Sequence, residues 1–506
     1  MLNKKYFSVL LSGILFFSMN GYANSLENTD VVVETLPALT SNTIGTRSTT
    51  NVHLWSGTSA HQLTKLFNQI AHSNLTPAEM QLVTHLLTLD TSGSITTDFD
   101  QTHALAFLEE RLNVLFKLGA WNDVLDIIRL LPEQDVTERI FQIKVETLLM
   151  KGDTKQACTL IDEKTSDTTY DKIRISCFLA QEAKNKAILA YDIYQENTPD
   201  NQSVFALLSE NVLREIPTSL PENIVLEPHD VYLFSLAKNV TVDWTKQTRG
   251  VKMTLVDLPT TDIPLRITLA EQIGLDAEAM KKIYRLPLFN PDLNNHAVKR
   301  AYLHQQILNT HDNETKVILI KEWLDLIRKD GLFISLAPVI ADIFNQLKAT
   351  ADYVDIAYDA VQAYALTDNL AMAEPWRSVL KDSSLAIHQK QFFMLTPIWQ
   401  TLGGGYPYNL AEKMQQYCGI RPLSVCNKMK LFIDSDLYET EQSSQPQGAF
   451  LFTQSQKTTR LGETLLQGIL DIHAQQDLDR TYQFIKEVAQ KDTRNKLLVE
   501  GMIFNP

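Results

Sequence analysis

The feature that most constrains the fold is a repeated junction, in which a helix-breaking or polar residue is followed five positions later by a small residue or valine. It occurs at Gly119 and Val124, Gly152 and Ala157, Glu182 and Ala187, Gly274 and Ala279, and Asp368 and Ala373. The first three copies are 33 and then 30 residues apart, enough for two helices with their connections. A small residue after a turn lets two helices approach closely. The junctions therefore predict pairs of helices joined by tight turns.

Two of these junctions also carry spacings found in a known family. They resemble the tetratricopeptide repeat, in which an alanine after the turn is followed by an aromatic or large apolar residue four positions later and a proline eight further on. The matches are Ala187, Tyr191 and Pro199, then Ala279, Ile283 and Pro291, with Tyr364 at the aromatic position of a first helix. No unit carries the family's Trp-x-x-Leu-Gly opening. The resemblance implies degenerate helical repeats over about half of the mature chain, without a subfamily.

The domain organisation follows from where the helical pattern starts and where it is interrupted. We predict an all-α fold, an α-solenoid of stacked antiparallel helix pairs that bury a continuous core on their neighbours. The repeats occupy 58–215 and 263–506, and the early capping box Thr76-Pro77-Ala78-Glu79 starts a helix. Residues 216–262 contain several prolines, and Val251 to Val256 has the Val and Thr content typical of strands. This segment is an irregular joint, an insert or a pair of poorly formed repeats.

The N-terminus has the pattern of a secretory signal peptide over residues 1–23. Lys4 and Lys5 precede a short apolar run, and Gly21 and Ala23 are small residues at −3 and −1 of the expected cleavage site. Residues 24–57 have no periodic apolar face, which is typical of a flexible leader. We therefore predict an exported protein with no transmembrane segment in the mature chain. It would be periplasmic if the source is a Gram-negative bacterium and otherwise secreted.

The four cysteines form two local couples, and export would place them where thiols can pair. Cys158 and Cys177 lie 19 residues apart on two helical segments, and Cys418 and Cys426 lie 8 apart. Of the three possible connectivities, the one that pairs neighbours along the chain is the simplest and predicts two disulfides. Four buried free thiols are the alternative. No Cys-x-x-Cys occurs, so a zinc site is disfavoured.

Charge and motifs argue against several classes of function. The chain has 46 Lys and Arg against 60 Asp and Glu, a net charge of −14, which disfavours a protein that binds nucleic-acid phosphates. His-Glu-x-x-His, Gly-x-Ser-x-Gly and the common nucleotide-binding glycine loops do not occur in the sequence. We therefore predict that the protein is not an enzyme, with no catalytic residue, no metal and no cofactor.

The implied function comes from the repeat resemblance. Tetratricopeptide-like proteins bind another protein or peptide, which implies a scaffold or assembly factor in the cell envelope, although fold does not fix function. One rival is a peptidoglycan-processing enzyme, because some lytic transglycosylases carry long superhelical helix pairs. That reaction needs a glutamic acid as general acid in a compact catalytic module, and no Glu-Ser with a recognisable active-site segment follows. Another rival is a purely structural spacer.

Overall fold

The computed structural model describes residues 45–46, 55, 60–73, 75–89, 101–163, 168–199, 202–288, 291–402 and 466. These residues belong to one compact unit that begins at Thr40. Within them the structure is all-helical, with nineteen α-helices and no β-strand, which confirms the predicted all-α class.

The helices are numbered in chain order. The first twelve are α1 (Ala60–Ala71), α2 (Pro77–Thr88), α3 (Gln101–Lys117), α4 (Trp121–Leu130), α5 (Glu138–Lys151), α6 (Thr154–Asp162), α7 (Asp171–Ala180), α8 (Lys184–Asn197), α9 (Val204–Arg214), α10 (Pro228–Leu236), α11 (Arg249–Asp257) and α12 (Ile263–Ile273). The others are α13 (Ala277–Tyr284), α14 (His296–Asn309), α15 (Asn313–Lys329), α16 (Phe333–Phe344), α17 (Val354–Leu366), α18 (Leu370–Asp382) and α19 (Ala386–Thr401). Neighbouring pairs pack closely in an α-solenoid-like arrangement.

Local capping accounts for where many of these helices begin. The Thr76 hydroxyl accepts the Glu79 N–H at 3.4 Å, and the Glu79 carboxylate accepts the Thr76 N–H at 2.8 Å, so α2 starts with the predicted capping box. The Ser203 hydroxyl accepts the Ala206 N–H and caps α9, and the Asp312 carboxylate accepts the Thr315 N–H and caps α15. Each cap satisfies backbone N–H groups that have no partner inside the helix.

Five helix pairs are joined by the same tight turn. The pairs are α3–α4, α5–α6, α7–α8, α15–α16 and α17–α18, with central residues Gly119, Gly152, Glu182, Gly331 and Asp368. Each central residue has a left-handed φ between 55° and 90° and donates its N–H to the carbonyl three residues back. The next residue donates to the carbonyl five residues back, at 2.8–2.9 Å. This is the Schellman motif, which ends one helix and lets the next begin at once.

Four of the predicted junctions lie in this motif. The residues five positions after the turn, Val124, Ala157, Ala187 and Ala373, are fully buried at the start of the second helix. Each donates its N–H to the carbonyl of the residue that precedes that helix. A small side chain there lets the two helices pack closely.

The junction at Gly274 and Ala279 differs from the other four. Gly274 also has a positive φ, of 60°, but the capping residue of α13 is Asp276, two positions later rather than one. This shifts the register, so Ala279 is half-buried and Met280 is fully buried instead. The sequence pattern also missed the turn at Gly331, because Leu336 stands where the pattern requires a small residue or valine.

A disulfide joins two successive helix pairs. Cys158 of α6 and Cys177 of α7 are bonded, with their Cα atoms 5.7 Å apart. Both lie in a small core cluster with Ile161, Tyr170 and Ile173, apart from the main core. Cys418 and Cys426 lie outside the described residues.

The segment 216–262 contains two short helices, α10 and α11, between irregular stretches. Val251 to Val256 lies in α11 rather than in a strand, so the expectation from Val and Thr content is wrong there. The reason is local, because Thr248 caps a helix by accepting the Val251 N–H at 3.5 Å. The described residues also contain no β-strand with which this stretch could pair.

These two helices pack back onto much earlier ones. Helix α10 contacts α5 and α7, and α11 contacts α3 and α5. A Cβ added to Gly250 would lie 2.8 Å from the Phe116 carbonyl oxygen, so this glycine permits the close approach of α11 to α3. The Thr254 hydroxyl donates to the Met150 carbonyl at 2.9 Å, across 104 residues. The insert is therefore part of the packed core.

The C-terminal helices pack differently. Between α14 and α19, closely packed helices are never more than two positions apart in chain order. One hydrophobic core nevertheless continues through both parts, from Trp55 to Trp399 and on to Leu466. No helix in the described part of the chain is both long and apolar enough to cross a bilayer.

Candidate functional site

The strongest candidate site is a small cavity where three helix ends meet: the end of α1, the start of α11 and the end of α12. It has a free volume of about 30 Å³ and is partly open to solvent. Its lining residues are Ala71, His72, Ser73, Leu75, Met80, Thr245, Gln247, Arg249, Lys252, Gln272 and Ile273. Both cationic side chains of this lining come from α11.

Local structure holds the start of α11 firmly. The Gln247 side-chain amide donates to the carbonyls of Ile224 and Asp243, at 2.8 and 3.1 Å, and its oxygen accepts the Leu226 N–H at 2.9 Å. Arg249 and Lys252 follow in the first turn of the helix, three residues apart and therefore on neighbouring positions of its surface. The loop thus presents both cations to the cavity from an anchored backbone.

The two cations have no carboxylate in contact among the described residues. The Arg249 guanidinium donates to the Ile273 carbonyl at the end of α12. Lys252 is 7% exposed, and its side chain has no hydrogen bond or ion pair with the described part of the chain. Burial lowers the pKa of Lys252, the charge of Arg249 lowers it further, and Asp243 acts in the opposite direction. Burial lowers the pKa of Arg249 to about 10.

The other polar groups of the lining are mostly satisfied by their own elements. His72 Nδ1 lies 2.8 Å from the Asn68 carbonyl, and the Ser73 hydroxyl donates to the Gln69 carbonyl at 2.8 Å. The exception is Gln272, whose Oε1 is buried without a hydrogen-bond partner among the described residues. The cavity therefore presents an excess of positive charge and an unsatisfied amide, an arrangement suited to an anionic group.

A second buried polar cluster lies between α12, α13 and α14. The Arg300 guanidinium donates to both carboxylate oxygens of Glu271, at 2.8 and 2.6 Å, and to Asp330. The Tyr284 hydroxyl donates to Glu271 at 2.7 Å, and burial raises the pKa of Tyr284 well above its usual range. Because its members satisfy one another, this cluster is structural.

Two buried carboxyl groups lie on the packed helices α5 and α10. Burial raises the pKa of both Glu146 and Asp230 to about 7. Glu146 accepts a hydrogen bond from the Gln142 amide at 2.8 Å, and Asp230 accepts the Glu227 N–H at 3.0 Å. Perturbed carboxyls are candidates for acid–base chemistry, but these two serve as helix-packing and capping groups. No group of three His, Cys, Asp or Glu in the described ranges could hold a metal ion.

None of the predicted site residues that the structure describes lines the cavity. The turn residues lie at or next to helix junctions, and Cys158 and Cys177 lie within α6 and α7, whereas the two cations lie in the segment interpreted as irregular. The sequence of this segment does contain an indication of a site, because Arg249 and Lys252 occupy the first turn of a helix. Acidic residues are favoured at that position and basic ones are not, because of the helix dipole.

Comparison with known proteins adds no relative to this description. No protein-family model, curated protein or solved structure matches this chain. The likeness to tetratricopeptide repeats therefore rests on the residue pattern alone.

Proposed function

We propose that the protein is an exported, tetratricopeptide-like scaffold that binds another protein or peptide in the cell envelope. The observation that carries this proposal is the same Schellman turn in five helix pairs, since stacked pairs present an extended surface to a partner. The basic cavity lies outside these five pairs, at the ends of α1, α11 and α12, and offers a place for an acidic group of a ligand.

A disulfide bond supports the proposal that the protein is exported. The Cys158–Cys177 disulfide is of a kind that persists in oxidising compartments such as a periplasm or the extracellular medium. The basic and apolar residues at the N-terminus agree with it. A cytoplasmic chain would be expected to keep both thiols reduced.

Exposed apolar side chains supply positions at which partner binding can be tested. Leu189 and Ile193, one turn apart on α8, are 62% and 48% exposed, and Ile318 on α15 is 66% exposed. Exposed apolar residues that lie together are candidates for protein contact. Lys186 and Lys329, exposed on the same two helices, are matched control positions.

The test is photo-cross-linking in intact cells, with a photoreactive residue at Leu189, Ile193 or Ile318 and at the two control lysines. A scaffold should give the same defined envelope protein from the apolar positions and not from the lysines. No adduct at any position would favour the structural spacer. Release of muropeptides from cell-wall sacculi by the purified protein would favour the peptidoglycan-processing enzyme and overturn the proposal.

A further inference from the structure

We infer that the cavity between α1, α11 and α12 is a binding site for a carboxylate group, independently of whether the protein is a scaffold. The first argument is charge. Lys252 is 7% exposed, lines the cavity and has no side-chain hydrogen bond or ion pair with a described residue, and the half-buried Arg249 beside it donates to one backbone carbonyl. Two like charges that are partly removed from water destabilise each other, and an anion in the cavity relieves that repulsion.

The carboxylate of Asp243, in the loop before α11, does not meet this need. Asp243 accepts the backbone N–H of Thr245 at 3.0 Å and its hydroxyl at 2.6 Å, and it lies 3.5 Å from the Lys246 ammonium. It is exposed and does not line the cavity. Its charge acts on Lys252 only from a distance.

The start of α11 adds positive potential to the two side chains. The first N–H groups of a helix have no intrahelical acceptor and attract anions. Placing Arg249 and Lys252 there opposes the helix dipole, an arrangement that a bound anion would offset. Gln272 contributes an amide that can turn its NH₂ group toward an anionic oxygen, because the placement of amide oxygen and nitrogen is set by their partners.

Size favours a carboxylate over a tetrahedral oxyanion. A bound water molecule needs roughly 10–15 Å³ of free volume. The cavity, at about 30 Å³, therefore accommodates two water molecules or the planar head of a carboxylate. Phosphate has five heavy atoms, so it would fill more than the enclosed part of the cavity and extend toward solvent. The carboxylate could belong to a small organic acid or to the C-terminus of a peptide.

The primary test is isothermal titration of the full chain with sodium acetate, at ionic strength held constant with chloride. We expect saturable binding that weakens at least tenfold in Lys252→Met, which keeps the buried stem and removes the ammonium. Lys246→Met, which removes a cation outside the cavity, should stay within twofold of the natural protein. Equal acetate binding by Lys252→Met, or tighter binding of phosphate than of acetate, would overturn the inference.

A second variant guards against a folding defect in the first. Gln272→Glu places a carboxylate of the chain itself in the cavity, so we expect a higher Tm and loss of acetate binding. A lower Tm together with acetate binding like that of the natural protein would contradict the site. Two further ligands distinguish a peptide C-terminus from a small organic acid as the source of the carboxylate. Tighter binding of an acetylated tripeptide with a free C-terminus than of acetate indicates a peptide. The same tripeptide with an amidated C-terminus should not bind. Acetate binding equal to that of the tripeptide indicates a small acid.

Discussion

Helices α3 to α11 and helices α14 to α18 contain the same turn, yet different contacts hold the two regions together. In the N-terminal region, the Cys158–Cys177 bond joins successive pairs, and α11 lies across α3 and α5. In the C-terminal region, ion pairs link helices one or two positions apart, such as Lys299 with Glu322 and Arg328 with Asp359. The most buried ion pair, between Arg300 of α14 and Glu271, ties this region to α12. The same local turn therefore does not determine which interactions hold one helix pair to the next.

The largest effect should come from breaking that buried ion pair. Arg300→Met leaves the Glu271 carboxylate buried without its guanidinium, which costs about 3–5 kcal/mol in the free energy of unfolding. Urea unfolding followed by circular dichroism measures it. Lys321→Met is the matched control, because it breaks an exposed pair with Asp355 and should cost less than about 1 kcal/mol. Equal costs for the two variants would mean that burial does not set the importance of these pairs.

Removing the disulfide should have the next largest effect and should remain local. Replacing Cys158 and Cys177 with serine frees a loop of about 20 residues, which lowers the free energy of unfolding by about 3 kcal/mol. Hydrogen exchange should accelerate in α6 and α7 and stay unchanged in α15 to α18. Adding reductant to this double variant, as a control, should change neither region. Faster exchange in α15 to α18 would show that the two regions open as one unit.

The two regions should also differ in how one buried group of each responds to pH. Burial raises the pKa of Glu146 in α5 from 4.5 to about 7. The stability linked to this group is present below its unfolded pKa and is lost as pH rises through 7. Glu146→Gln should therefore raise the free energy of unfolding at pH 8 by on the order of 2–3 kcal/mol and by less than about 1 at pH 5. A gain that does not depend on pH would contradict burial as the cause.

His304 in α14 should respond in the opposite direction. It is fully buried, both ring nitrogens lack hydrogen-bond partners among the described residues, and burial lowers its pKa from 6.5 to about 4. The unfolded chain then binds more protons between these values, so stability is complete above 6.5 and falls as pH drops toward 4. His304→Phe should flatten this part of a thermal-unfolding profile measured against pH. If the slope of Tm against pH stays unchanged in His304→Phe, groups other than His304 cause the loss of stability in acid.

The smallest predicted effect concerns the contact that closes the N-terminal region. Gly250→Ala puts a methyl group 2.8 Å from the Phe116 carbonyl and should cost about 1–3 kcal/mol, with faster hydrogen exchange in α3 and α11. Gly152→Ala meets no atom within 4 Å but strains a left-handed φ of 90°, at about 1 kcal/mol. Gly152→Asn should cost less, because asparagine tolerates that conformation. A Gly250→Ala cost no greater than that of Gly152→Ala would contradict close packing of α11 on α3.

Local sequence patterns predicted much of the helical framework and little of the candidate site. The capping box at Thr76, the turn at Gly119 and the pairing of Cys158 with Cys177 involve residues at most 19 positions apart. The turn at Gly331 was missed, because Leu336, which is buried at the fifth position, does not match a pattern that requires a small residue or valine there. The strand expectation at Val251 to Val256 failed, because a capping threonine outweighs weak β propensity.

What the sequence by itself determined is the helical class and four of the five tight turns between paired helices, since these depend on capping, left-handed residues and apolar periodicity within a few turns of chain. Only the tertiary structure decided that α11 returns to α3 and α5, and that Arg249 and Lys252 meet Gln272 in one cavity. The contact of Thr254 with Met150 spans 104 residues. No local pattern encodes such a contact, because its stability depends on side chains that become neighbours only when the whole core has packed.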